Sequence, residues 1–137
     1  MQIKKFNYPE TGLMDQAFKI REKVFIREQG VPEDLEKDSS DRDAVHYILF
    51  DEEKPIATAR RRKTTNGIKL ERFAVLSEYR NHGIGSKVLH FVLEDLKNED
   101  TTIYLNSQEK AVPFYERYGF VKSGEPFMEA GIRHFLM

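Results

Sequence analysis

Residues 68–96, IKLERFAVLSEYRNHGIGSKVLHFVLEDL, constrain the fold of this chain more than any other stretch. The run from Ile68 to Leu76 is rich in apolar and β-branched residues, as in a strand buried on both faces and central in its sheet. Ile84, Val88, Leu89, Val92 and Leu96 then recur at the spacing of one helical face. Between the two lie Gly83 and Gly85. A strand, a glycine turn and an amphipathic helix in that order present a helix N-terminus whose first N–H groups lack intrahelical partners and whose dipole end is positive. Glycine there lets an anion approach the backbone with no Cβ in the way, and Arg80 and Lys87 could add full charges. The pattern alone also fits an ordinary turn. It is not the dinucleotide fingerprint, because position 88 is valine, nor a Walker loop, because Gly-Lys-Ser/Thr is missing.

The remaining elements follow from periodicity and punctuation. MQIKKFNY predicts a short strand. Met14, Ala17, Phe18, Val24 and Phe25 predict a helix over 13–29, stopped by Gly30 and Pro32. Residues 33–43 carry six acids and two bases without periodicity, which predicts a solvated connector or a lip that attracts a cationic substrate. VHYILF and PIATARRR are strands joined by DEEK, and Thr65-Asn66-Gly67 is a hairpin turn. TTIYLN is a strand, and QEKAVPFYERYGF is a helix ending at Gly119 whose start Pro113 makes late or irregular. GFVKSG and IRHFLM close the chain as strands. The order predicts an α/β (α+β) fold, a single domain over 1–137. Its core is a mixed, twisted sheet of about six to seven strands with helices on both faces.

Composition narrows the function. The chain of 137 residues is long enough to bury roughly two-thirds of its unfolded surface. The absence of cysteine excludes disulfides, thiolate zinc sites and a cysteine nucleophile. A net charge of −1 argues against a nucleic-acid partner. No apolar run approaches the ~18–20 residues that span a bilayer, and MQIKKFNYPE has no signal-like apolar region, so a cytoplasmic protein with no membrane partner is expected. His46, His82, His90 and His134 have no metal-ligand spacing, and no metal is expected.

Several blocks in order carry a resemblance. Arg-x-x-Gly-x-Gly after FAVLSEY, then YLN, then AVPFYERYGF resembles the GNAT superfamily of N-acetyltransferases over residues 68–122. REKVFIREQGVP and EAGIRHFLM are similar to its small bacterial ElaA-like or YjcF-like branch. The resemblance implies an acyl transfer that uses acetyl-CoA. It places the pyrophosphate of coenzyme A on the loop Arg80, Asn81, His82, Gly83, Ile84 and Gly85, with Ser86 and Lys87 continuing the helix start. It sets the pantetheine arm against backbone groups of Phe73, Ala74 and Val75, and brings Asn106 to that arm. Tyr115 aligns with a tyrosine that often serves the family as general acid. The family often forms dimers, so a homodimer is admitted.

With no cysteine to carry the acyl group, direct attack by a primary amine of a small molecule or peptide is expected. Glu71, a lone carboxylate in an apolar strand, is expensive unless paired or functional. It is the best candidate base, alone or through an ordered water. The competing reading is an ion pair with Arg60 or Arg62. Arg72 should point to the opposite face by strand alternation. Glu28, Gln29, Arg60 and His134 are the candidate substrate contacts. The rival from another class is a catalytically idle acyl-CoA-binding or regulatory module.

Overall fold

In the computed structural model, which describes residues 1–137, the chain begins with β1 (Gln2–Asn7) and α1 (Thr11–Arg21). A π-helical continuation (Glu22–Glu28) leads to α2 (Glu33–Glu36) and a 3-10 turn (Ser39–Arg42). Then come β2 (Val45–Asp51), β3 (Lys54–Thr64), β4 (Gly67–Val75), a 3-10 turn (Ser77–Tyr79), α3 (Ile84–Asp95) and β5 (Ile103–Gln108). The last part holds a 3-10 turn (Glu109–Ala111), α4 (Val112–Glu116), β6 (Ser123–Glu129) and β7 (Ile132–Leu136).

The strands form one seven-stranded sheet in the order β1-β2-β3-β4-β5-β7-β6, with β4 in the middle, as its composition predicts. β4 and β5 are the parallel pair, joined through α3; the other neighbours are antiparallel. Their pairing covers only Ile68–Leu70 against Ile103–Leu105. From Asn106 onward β5 pairs with β7 instead. The β5-facing edge of β4 beyond Leu70 therefore has no strand partner, and the sheet opens there as a V. A bulge reinforces the split: the β3–β4 register shifts between Thr58–Ala74 and Arg60–Glu71, with Arg72 at φ +57°. An extra residue of this kind bends the strand that carries it.

Helices cover both faces, as expected. Arg61 donates from Nε to the Tyr47 hydroxyl (2.8 Å) and reaches Asp95 at the end of α3. Arg60, its neighbour, points the other way into the α1–α2 layer. Ala17, Ile20 and Val24 fill the core on that side, and Val88, Leu89 and Val92 on the α3 side.

Three sequence expectations change. The helix over 13–29 is α-helical only to Arg21 and then widens into a π-helix; Phe25 within it and Gln29 just past its end face the split. The strand expected at GFVKSG lies further on, at Ser123–Glu129, because Phe120 leaves the strand path to pack its ring on Tyr115 (6.0 Å between centroids). Residues 33–43 are solvated only in part: most of them are exposed, but Glu36 and Asp41 are buried and ion-paired.

Candidate active site

The V between β4 and β5 opens into a cavity of about 440 Å³, within the usual range for small-molecule sites. Phe73 and Asn106 line its two strands, Tyr115 of α4 and His134 of β7 one side, and Gln29 and Arg62 others.

Beyond the end of β4, where Gly85 lies against Val75 and Phe114, Gly83 caps α3 in the left-handed conformation (φ +74°) that glycine adopts without strain. The N–H groups of Ile84, Gly85 and Ser86 have no backbone acceptor, whereas Lys87 N–H already bonds Gly83 O (3.1 Å). A Cβ on Gly83 would project into open space, and one on Gly85 would only touch Phe114 at 3.6 Å. Packing within the protein therefore does not require a glycine at 85. The missing Cβ leaves free approach to the first-turn N–H groups, as a phosphate-bearing ligand needs. His82 and Asn81 are exposed on the same turn. Arg80 departs from the expectation that it supplies a free charge. Its Nε donates to Val75 O (3.0 Å) and its terminal nitrogens pair with Glu28 (2.8 and 2.9 Å). Arg80 thus ties the loop to the end of β4 and to the π-helical segment.

Those bonds also correct Glu28. It is engaged by the loop arginine and does not line the cavity. Gln29 does, and it exchanges hydrogen bonds with Gln108 across the opening (2.8 and 3.4 Å).

Under the cavity lies a network of charges. Arg60 is only 1% exposed; it donates to Glu71 Oε2 (2.7 Å), Asp38 Oδ1 (2.9 Å) and Asp41 Oδ1 (2.7 Å). A guanidinium so occupied is structural and not a substrate contact. Asp41 also accepts from Arg21 (2.8 Å), Glu36 pairs with Arg21, and Arg72 reaches Glu36 O and Asp38 Oδ2 (3.2 Å each). Arg72 is thus on the Glu71 side, against the alternation rule, because the bulge turns it round.

Glu71 sits where a base was expected, but three cations hold it: Arg60, Arg62 (2.9 Å) and Lys69 (3.1 Å). Burial alone would push its carboxyl up. The charges of Arg60 and Lys69, with Arg60 and Arg62 at its oxygens, more than reverse this and hold it below the usual carboxylate range. The ion-pair reading of Glu71 prevails, and a carboxylate so stabilised is a weak base.

Tyr115 is buried at 8% exposure among Phe73, Phe114 and Phe120. Burial pushes its phenol above the ordinary tyrosine value, so it stays protonated at neutral pH. His134 bonds from Nδ1 to the Ile132 carbonyl (2.7 Å). Since a carbonyl only accepts, Nδ1 carries a proton, and in the neutral ring the lone pair is on Nε2. Nε2 lies 3.6 Å from Glu129 Oε2, too far for a direct hydrogen bond.

Sequence reasoning missed Arg21, Glu36, Asp41 and Glu129. Arg21 did carry a signal: it falls on the buried stripe of Ala17, Ile20 and Val24, where a cation needs a partner.

A split central strand pair, an open helix N-terminus at the mouth of the split and a protonated tyrosine inside it define an acetyltransferase of the GNAT type. Residues 7–137 match the acetyltransferase (GNAT) domain, and the chain belongs to that family of acyltransferases. The uncharacterized N-acetyltransferase YjcF of Bacillus subtilis is 36% identical over 126 residues, covering 90% of each chain. The crystal structure of Escherichia coli ElaA superimposes with a TM-score of 0.90 at 22% identity, covering 99% of this chain and 98% of that one. An aminoglycoside 6'-N-acetyltransferase complexed with coenzyme A does so with a TM-score of 0.74 at 15% identity, covering 99% and 94%. No helix is long and apolar enough to cross a membrane.

Proposed function

We propose that the protein transfers the acetyl group of acetyl-CoA to a primary amine by direct attack. The observation that carries this reading is the unpaired edge of β4 leading from the α3 N-terminus to the Tyr115 hydroxyl. The names of the relatives agree with it. The first-turn N–H groups of Ile84, Gly85 and Ser86 would hold the pyrophosphate, and the unpaired edge along Phe73, Ala74 and Val75, whose carbonyl at Val75 is already taken by Arg80, would hold the pantetheine arm with Asn106 opposite. When bound, acetyl-CoA supplies an acyl carbon activated as a thioester.

Tyr115 gives its proton to the departing thiolate sulfur as the C–S bond breaks. His134 Nε2 accepts the proton that the amine nitrogen loses as the N–C bond forms, directly or through a water. Glu129 lies beside the imidazolium this creates and stabilises it, while the Ile132 carbonyl fixes the tautomer that starts the cycle. Glu71 is left to hold Arg62 and Lys69.

Calorimetric titration with acetyl-CoA should show one site per chain, and free thiol should appear once an acceptor amine is added. No heat at high micromolar ligand sinks the proposal, and binding without thiol release across a broad amine panel identifies an idle acyl-CoA binder. His134→Gln, which keeps the side chain's polarity and removes its basic nitrogen, should lower kcat/KM at neutral pH by about 10²-fold. A variant within twofold of the parent at neutral pH removes His134 from the chemistry.

A further inference from the structure

The charge network under the cavity is not balanced. Linked by ion pairs, the five cations Arg21, Arg60, Arg62, Lys69 and Arg72 face the four carboxylates Glu36, Asp38, Asp41 and Glu71. Most of the positive charge is matched locally. Arg21 and Arg60 are each shared between buried acids, and Arg72 is bound to the α2 turn.

The surplus falls at one place. Arg62 and Lys69 stand directly opposite each other across β3 and β4, and like charges so placed repel. Both converge on a single oxygen, Glu71 Oε1, at 2.9 and 3.1 Å. Arg62 uses only Nε, so the edge formed by its two terminal nitrogens has no protein acceptor, nor do the remaining N–H groups of Lys69. Their side chains stay 28% and 19% exposed, and both line the cavity that contains Tyr115 and His134. A free guanidinium edge beside a free ammonium suits the paired oxygens of a carboxylate or phosphate. Glu129, half exposed on the wall of the same cavity, supplies the opposite charge beside His134.

We propose that the acceptor is a primary amine that also bears an oxyanion, bound with its carboxylate or phosphate on Arg62 and Lys69 and its amine toward Tyr115, His134 and Glu129. This rests on the acetyltransferase reading above and adds the substrate class to it. The same two cations repel polyamines and other acceptors carrying several positive charges.

The test is thiol release from acetyl-CoA with four series of primary amines matched in length: ω-amino carboxylates, ω-amino phosphates, plain alkylamines and diamines. The best anionic acceptor should exceed its alkylamine match in kcat/KM by about tenfold to a hundredfold, the range expected for charge-assisted hydrogen bonds. Whether carboxylates or phosphates lead identifies the oxyanion. In Arg62→Gln, and separately in Lys69→Gln, the ratio of anionic to plain amine should shrink by about tenfold. Diamines or alkylamines equal to or better than the anionic series overturn the proposal while leaving the acetyltransferase in place. A preference for anions that both variants leave unchanged overturns it as well. No thiol release with any series removes the acetyltransferase reading and this proposal together.

Discussion

Asp41→Asn is expected to destabilise the fold by about 3–5 kcal/mol, the range seen when one partner of a buried ion pair is removed. Asp41 joins Arg21 and Arg60, each 1% exposed, and its carboxylate accepts from both guanidinium groups at 2.7 and 2.8 Å. The asparagine keeps the shape. In the aspartate Oδ1 takes both of those bonds and Oδ2 a third from Arg21 (3.3 Å), so the amide removes the negative charge between two arginines and turns its NH₂ toward a guanidinium that can only donate. The positive surplus of the network grows at its most buried point. For a domain of this size the loss corresponds to a fall in Tm on the order of 10–20 °C.

The sign of the pH dependence supplies a control. Burial alone would raise the Asp41 carboxyl, but Arg21 and Arg60 pull it below its ordinary value, and Asp38 and Glu71 are depressed in the same way. A carboxylate depressed on folding contributes stability that is fully present above its unfolded pKa of about 4 and is lost as pH falls through the lower folded value. The gap between parent and Asp41→Asn should therefore stay constant from neutral pH down to about 5 and narrow below 4. Urea unfolding at a series of pH values reads both effects. A gap below about 1 kcal/mol at pH 7 would mean that solvent screens the network as it does a surface pair.

This network also marks the boundary of what the sequence discloses. β4 and α3 are legible because Ile68–Leu76 shows its apolar content and Ile84–Leu96 its helical period without reference to anything distant. Residues 33–43 read as solvated because their partners, Arg21, Arg60 and Arg72, lie elsewhere in the chain and meet them only once the sheet has formed. Alternation fails at Arg72 because a bulge at a non-glycine residue with φ +57° leaves no local mark in the sequence. β6 is an edge strand carrying Pro126, which an edge tolerates, and the more apolar GFV before it looks like the better strand. At the site, the glycine turn, Tyr115, Asn106 and His134 are legible as residues. The pairing of Arg80 with Glu28 and of Glu71 with its three cations is tertiary.

Tyr115→Phe is expected to lower kcat by about 10²- to 10⁴-fold, the contribution of a well-placed general acid, with little change in affinity for acetyl-CoA. The ring is held edge-on by Phe73 and Phe114, with centroids at 6.3 and 5.1 Å, and by Phe120, so phenylalanine fits the same space and the fold should lose little stability. What disappears is a hydroxyl inside the cavity that stays protonated because burial disfavours the phenolate. Without it the thiolate must depart unprotonated into an apolar corner, which is costly for a basic thiolate and less so for a stable one. The deficit should therefore depend on the leaving group. With acetyl thioesters of increasingly acidic thiols, the variant should recover relative to the parent, because the proton matters less. A purely structural role for Tyr115 would lower every donor alike, and a kcat within about threefold of the parent would leave the tyrosine as packing alone.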